Sequence, residues 1–165
     1  MDRKPATVFR AAEMREKRRA FRQRLNENPN AVFTIFGLGG RAGLKSTGVS
    51  IAWLEPGKET FAYHAHHYEE EWIYILDGRA VCVIDEVEHE LTPGTFVGFP
   101  VPSVPHLLRN PFAETCTYAM GGERRELDIL DYPRLGKTYL LRATPTGPDF
   151  YELPPPIRPF GPAES

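Results

Sequence analysis

His64-Ala65-His66-His67-Tyr68-Glu69-Glu70-Glu71-Trp72-Ile73-Tyr74-Ile75-Leu76-Asp77-Gly78 is the stretch that decides how this chain reads. Two histidines stand two residues apart, a carboxylate follows, and an apolar run ends at a glycine. On an extended strand a two-residue spacing puts both imidazoles on one face. Glu71 then falls early in the next strand, close enough to converge with them. His106 follows Glu71 by thirty-five residues, after the turn Thr92-Pro93-Gly94 and the loop Pro100–Pro105. Imidazole and carboxylate together suit a divalent transition metal, and three imidazoles with one carboxylate leave room in an octahedral shell for water, substrate or O₂. An open position separates a catalytic metal site from a closed structural one.

Outward from this stretch the chain is a series of short strands. The pattern predicts them at 48–54, 60–66, 71–76, 79–84, 87–91, 95–99, 105–110 and 114–120, with breaks at Pro56-Gly57, Asp77-Gly78, Asp85-Glu86, Pro93-Gly94, Pro100–Pro105 and Gly121-Gly122. Short strands at regular spacing without intervening helices indicate an antiparallel sandwich or barrel. Asp77-Gly78 between two β-rich runs reads as a hairpin turn.

Before the strands, residues 9–26 are predicted to be a helix with a thin apolar stripe of Met14, Phe21 and Leu25, ended by Asn28-Pro29-Asn30. Val32 to Phe36 reads as a strand. Gly37-Leu38-Gly39-Gly40-Arg41-Ala42-Gly43 reads as a flexible loop rather than a phosphate cradle, because no clear helix follows and no Lys-Ser/Thr pair stands at the Walker offset. Thr144-Pro145-Thr146-Gly147-Pro148 and Leu153 to Pro159 exclude helix and central sheet. They read as a strap on the barrel anchored by Phe150, Tyr151 and Phe160. The division is thus an N-terminal basic arm over 1–30, a β-domain over 31–143 and a proline-rich extension over 144–165.

At 165 residues and 41% hydrophobic content the chain has material for one domain with a real core. Its apolar runs are too short to span a bilayer. The N-terminal stretch is charged and lacks a signal-peptide or transit-peptide pattern, so a cytoplasmic protein with no membrane partner is expected. Cys82 and Cys116 sit in strand-like apolar contexts and read as buried thiols. Of the net charge of -2, residues 1–24 carry nine Lys/Arg against three Asp/Glu, so the remainder is about -8 by difference. This basic segment reads as a solvated face or dimer arm. No interleaved aromatics or recognition motif support nucleic acid.

The spacings carry a family resemblance: the chain resembles a cupin. The first motif of that family runs Gly, five residues, His-x-His, three or four residues, Glu, six residues, Gly. Here it is Gly57, six residues, His64-Ala65-His66, four residues, Glu71, six residues, Gly78. The second motif runs Gly, five residues, Pro-x-Gly, two residues, His, three residues, Asn. Here it is Gly94, five residues, Pro100-Val101-Pro102, three residues, His106, three residues, Asn110. The extra residue before His64, Pro102 in place of the second-motif glycine, and the extra residue before His106 each alter a loop and leave the ligand types intact. The two motifs and their strands cover residues 48–120.

The resemblance implies an all-β double-stranded β-helix, or jelly-roll, barrel with an N-terminal helix. It implies one divalent transition metal, Fe, Mn, Ni, Co or Zn, held by His64, His66, Glu71 and His106. Glu70 is the alternative carboxylate, since the motif tolerates a three-residue gap. Six residues to Gly78 and a face shared with Ile73 and Ile75 favour Glu71. His67 should point the other way, as surface or support. His89 lies outside both motifs, and Glu69 and Glu70 read as a solvated acidic patch. Trp53, Tyr74 and Phe99 read as core aromatics, any one of which could line a pocket. Arg109 and Tyr118 could orient a substrate carboxylate or hydroxyl, though alternation turns Arg109 away from His106.

Fold does not give function. The first hypothesis is a metal-dependent enzyme of isomerase, lyase or dioxygenase type acting on a sugar, sugar phosphate or carboxylic acid. The second is a non-catalytic small-molecule or sugar sensor; about twenty-five residues before the first strand are too few for an attached helix-turn-helix. The third is a structural or storage role, against which the intact ligand set speaks. A homodimer exchanging its N-terminal arm is expected.

Overall fold

The computed structural model describes residues 7–22, 29–144 and 147–156. Its elements are α1 (Ala11–Glu16), β1 (Arg19–Arg22), β2 (Val32–Gly37), α2 (Leu38–Arg41), β3 (Thr47–Leu54), β4 (Ala65–His66), β5 (Glu71–Asp77), β6 (Ala80–Ile84), β7 (Val87–Leu91), β8 (Phe96–Phe99), β9 (His106–Arg109), β10 (Cys116–Glu123), β11 (Leu127–Tyr132), β12 (Lys137–Arg142) and β13 (Asp149–Glu152). The class is all-β. A six-stranded antiparallel sheet runs β1-β2-β3-β10-β5-β8, with a three-stranded sheet β7-β6-β9 and a four-stranded sheet β13-β12-β11-β4. Among the described residues no continuous hydrogen-bonded ring closes the barrel. Isolated bridges, His64 to His106 and Glu59 to Arg109, tie the segment before β4 to β9. The strand expected over 60–66 is therefore only Ala65–His66 plus these bridges.

The core lies between the six-stranded and three-stranded sheets. Inward positions of β3, β5, β9 and β10 supply Leu54, Ile75, Leu108 and Tyr118, all essentially without solvent exposure. Each such aliphatic side chain stabilises the fold by about 1.5–3 kcal/mol relative to exposure. Ala62, Leu130, Tyr132 and Tyr139 form a second cluster beneath the four-stranded sheet. Cys82 and Cys116 are free, buried thiols, and burial pushes both up to about 12.

Asn110, the last residue of the second motif, is a buried staple. Its amide donates to the carbonyls of Leu54 and Glu114, both at 2.8 Å, and its oxygen accepts from the Phe112 N–H at 3.0 Å.

Four expectations are corrected. Of the helix expected over 9–26, the described residues form helix only at Ala11–Glu16, with β1 following at Arg19–Arg22; residues 23–26 lie outside the described residues. The cations Arg15, Arg18, Arg19 and Arg22 would repel one another at helical spacing, and pairing with β2 satisfies the same backbone. Leu25 lies outside the described residues. The glycine loop at 37–43 contains one helical turn, Leu38–Arg41.

Asp77-Gly78 is not a hairpin, because β5 and β6 belong to different sheets. It is a corner at which Gly78 has φ of +71°, and an added Cβ would strike the Thr115 carbonyl. The hairpin is the next one, β6 to β7, turned by Asp85 and Glu86 at φ of 48° and 64°. Both central residues at positive φ make the primed type of two-residue turn.

Finally, Gly121-Gly122 does not break β10. A Cβ at Gly122 would collide with the Glu70 carbonyl and one at Gly121 with the Trp72 ring. The glycines permit the close strand contact that pairs Gly122 with Glu71.

The proline-rich extension contributes β13, an edge strand on β12, consistent with its exclusion from central sheet. Phe150 meets Tyr139 edge-on, and Arg142 lies over Tyr151. Phe160 lies outside the described residues.

Candidate metal centre and its cleft

The bridged residue before β4, together with β4, β5 and β9, brings His64, His66, Glu71 and His106 together. The Glu71 Oε2 atom lies 3.2 Å from His66 Nε2, 3.2 Å from His106 Nε2 and 3.9 Å from His64 Nε2. All three imidazoles are buried. Glu71 arrives because β5 alternates inward through Glu71, Ile73 and Ile75. Glu70 points outward and is exposed, so Glu71 is the carboxylate that meets the histidines.

The opposite edge of each ring is already committed. His64 Nδ1 donates to the Ala62 carbonyl at 2.8 Å and His106 Nδ1 to the Val104 carbonyl at 3.0 Å. A carbonyl only accepts, so the ring proton sits on Nδ1 and the neutral ring presents a lone pair at Nε2. His66 Nδ1 faces the Asp128 carboxylate at 2.6 Å. Three Nε2 atoms and a carboxylate oxygen thus converge with too few protons among them. A divalent cation satisfies that donor set, and hydrogen-bonded Nδ1 atoms are the usual support of metal-ligating histidines. His64, His66 and Glu71 offer ligand atoms within 4.8 Å of one another. The cluster can hold a metal ion.

The electrostatics follow the same geometry. Burial, aided by repulsion from His106, pushes His64 down to about 3. Burial also opposes charging of His66, but the Asp128 and Glu71 carboxylates outweigh it and raise that ring to about 10. Burial would raise Glu71; its approach to His106 Nε2 and the hydrogen bond and charge of the protonated His66 ring outweigh this and hold it well below the usual carboxylate range.

Asp128 was not anticipated. It is fully buried on β11, and its Oδ1 accepts the backbone N–H groups of Tyr68 at 2.9 Å and Ile129 at 2.7 Å. Burial raises its carboxyl and His66 more than reverses this, leaving it below the ordinary value. The signal available was an acid inside the strand pattern Leu127-Asp128-Ile129-Leu130, since a buried carboxylate needs a partner.

His67 turns away, as expected, to pair with Asp131 at 2.7 Å, and Thr138 also donates to Asp131. His89 is exposed on β7. Arg109 points outward and pairs with Glu88 at 2.7 Å.

Beside the cluster is a small cleft, partly open to solvent. His64, Glu71 and His106 line it together with Phe99, whose ring stacks on His106 at 3.7 Å. Of the three aromatics that could have lined a pocket, Phe99 does. Trp53 lies under Arg18 elsewhere, and Tyr74 is part-exposed. Tyr118 lines the cleft too, and its buried hydroxyl has no hydrogen-bond partner among the described residues. A buried hydroxyl left unpaired costs about 1–3 kcal/mol.

Comparison with known proteins agrees with this architecture. Residues 51–122 match the family model described as a cupin domain. A solved structure of a candidate sugar phosphate isomerase from Acidithiobacillus ferrooxidans ATCC 23270 is 32% identical, covers 88% of this chain and 91% of its own, and superposes with a TM-score of 0.75. The chain belongs to the cupin superfamily. A cupin described as a sugar phosphate isomerase, from Silicibacter pomeroyi DSS-3, is 25% identical over 88% of this chain and 92% of its own, with a TM-score of 0.75. A cupin-2 domain protein from Rhodospirillum rubrum shares the fold at 17% identity, covering 75% of this chain and 78% of its own, with a TM-score of 0.55. No curated protein matches. Among the described residues of this cupin, no helix is long and apolar enough to cross a membrane.

Proposed function

We propose that this cupin is a metal-dependent enzyme of the isomerase type, acting on a small oxygenated compound that carries a carbonyl and hydroxyl groups. The observation that carries the reading is the convergence of three Nδ1-anchored histidines and Glu71 at the head of a mostly apolar cleft. His64, His66, Glu71 and His106 would hold one Fe, Mn, Ni, Co or Zn ion, all of which accept such mixed ligation. When bound, that ion supplies Lewis-acid polarisation of a carbonyl or hydroxyl oxygen. Asp128 fixes the orientation and tautomer of His66. Phe99 holds the His106 ring in place, and the apolar walls limit water around a bound compound. The two structures of similar length and fold described as sugar phosphate isomerases favour isomerase over dioxygenase chemistry. The proposal includes a homodimer, for which the exposed side chains of Tyr74, Leu76 and Phe96 offer an apolar surface.

The test is nuclear magnetic resonance of metal-loaded protein with aldoses, ketoses and their phosphates. Interconversion of an aldose–ketose pair is expected, abolished by chelation and by His64→Ala. A metal-loaded protein that binds a compound without converting any would instead support a sensor, and one that holds no metal would remove both readings.

A further inference from the structure

The walls of the cleft are Phe61, Ile73, Phe99, Leu107, Leu108 and Met120. Apart from the cluster, its side chains with a polar hydrogen are Thr60, Tyr118 and Trp72, the last through its indole N–H. The Thr60 hydroxyl donates to the Leu108 carbonyl at 3.3 Å, so its proton is engaged. The Tyr118 hydroxyl is not engaged, on a side chain only 1% exposed. No lysine or arginine lines the cleft among the described residues. Arg79, Arg109, Arg134 and Arg142 are instead tied to Glu114, Glu88, Glu86 and Asp149.

A phosphate ester carries up to two negative charges and loses strong hydration when enclosed. Proteins offset that with guanidinium or ammonium groups or with clustered N–H donors. This cleft offers only neutral donors, the free Tyr118 hydroxyl foremost, and no cationic side chain among the described residues. We propose that it takes an unphosphorylated, uncharged polyhydroxy carbonyl compound, one of whose oxygens accepts a hydrogen bond from the Tyr118 hydroxyl. The inference rests on the metal-site reading above and narrows its substrate class. It departs from the phosphorylated substrates named for the two similar structures. Burial raises the phenol further above neutral pH, so Tyr118 stays an O–H donor.

The experiment uses full-length protein loaded with Mn(II) and titrated calorimetrically with dihydroxyacetone, erythrose, xylulose and fructose, each beside its monophosphate. Trp72, which lines the cleft, gives a parallel fluorescence signal. At least one free sugar is expected to bind, with its phosphate ester at least about tenfold weaker. Tyr118→Phe should weaken that sugar about three- to tenfold, the worth of one neutral hydrogen bond. It should keep full metal content and an equal or higher melting temperature, because it removes an unpaired group. Tighter binding of the ester, unchanged sugar affinity in Tyr118→Phe, or no binding by any probe would each overturn the proposal. A lower melting temperature in Tyr118→Phe would assign the hydroxyl a structural role and also overturn it. Failure to load metal would defeat the parent reading and this one together. A loaded protein that prefers the ester would defeat this one alone.

Discussion

Replacing Asp128 by asparagine tests whether the cluster is held in a ligating state. The carboxylate accepts three N–H groups: two backbone donors on Oδ1 and His66 Nδ1 on Oδ2. Asparagine keeps one oxygen and puts an NH₂ in the other place. If the oxygen stays with the backbone donors, the NH₂ faces His66 Nδ1. The imidazole then relieves the clash by giving up its Nδ1 proton and keeping the one on Nε2, which meets Glu71 Oε2 at 3.2 Å. That proton occupies the lone pair a metal needs. Loss of such a support costs about 10–100-fold in metal affinity, equivalent to about 1.4–2.7 kcal/mol. One charge-assisted hydrogen bond also disappears, about 1.5–3 kcal/mol of fold stability. A chromogenic chelator competing for Co(II) reads the first quantity, guanidinium unfolding the second, and nitrogen-15 imidazole spectra the tautomer. Affinity within threefold of the native protein, with Nδ1 still protonated, would refute the reasoning.

Other outcomes follow from the same geometry. In metal-free protein His66 is raised from 6.5 to about 10, so its stabilisation is complete below 6.5 and is lost as pH rises through 10. His64 is lowered to about 3, so the unfolded chain gains a proton there first and stability also falls from 6.5 toward 3. Metal-free protein should therefore be most stable near about pH 6.5 in denaturant titrations; monotonic stability from pH 4 to 10 would contradict this. Metal must displace the His66 proton, so affinity should rise about tenfold per pH unit below 10, and a pH-independent affinity would count against it. Asn110→Asp places acceptors against the Leu54 and Glu114 carbonyls and should cost about 3–5 kcal/mol in unfolding experiments. A loss under 1 kcal/mol would show that Asn110 is not the staple described. Gly78→Ala should destabilise by more than about 1 kcal/mol through positive φ and the Thr115 contact, whereas the same change at the open corner Gly94 should cost less.

The strands around the histidines were legible because both motifs set their register and the alternation chose Glu71 over Glu70. The rest failed for physical reasons. Asp77-Gly78 reads as a hairpin because a glycine at positive φ serves a sheet-to-sheet corner as well as a turn. Local sequence does not say which strand comes next in space. The Met14, Phe21 and Leu25 stripe fits a helix, yet β2 offered an edge to which the cation-rich stretch could pair. Gly121-Gly122 reads as a break because the close approach that requires it involves Trp72 and Glu70, about fifty residues earlier. Asp128 went unseen for the same reason: its partner, His66, is 62 residues away, and it belongs to neither motif.

The most direct measurement is metal stoichiometry. Full-length protein dialysed to equilibrium against Mn, Fe(II), Co, Ni and Zn in turn, then analysed for elements, should retain one ion per chain of at least one metal. His64→Ala and Glu71→Ala chains, folded by circular dichroism, should retain far less. No retained ion in the native chain, or equal retention in both variants, would contradict the central claim that these four side chains form a metal site.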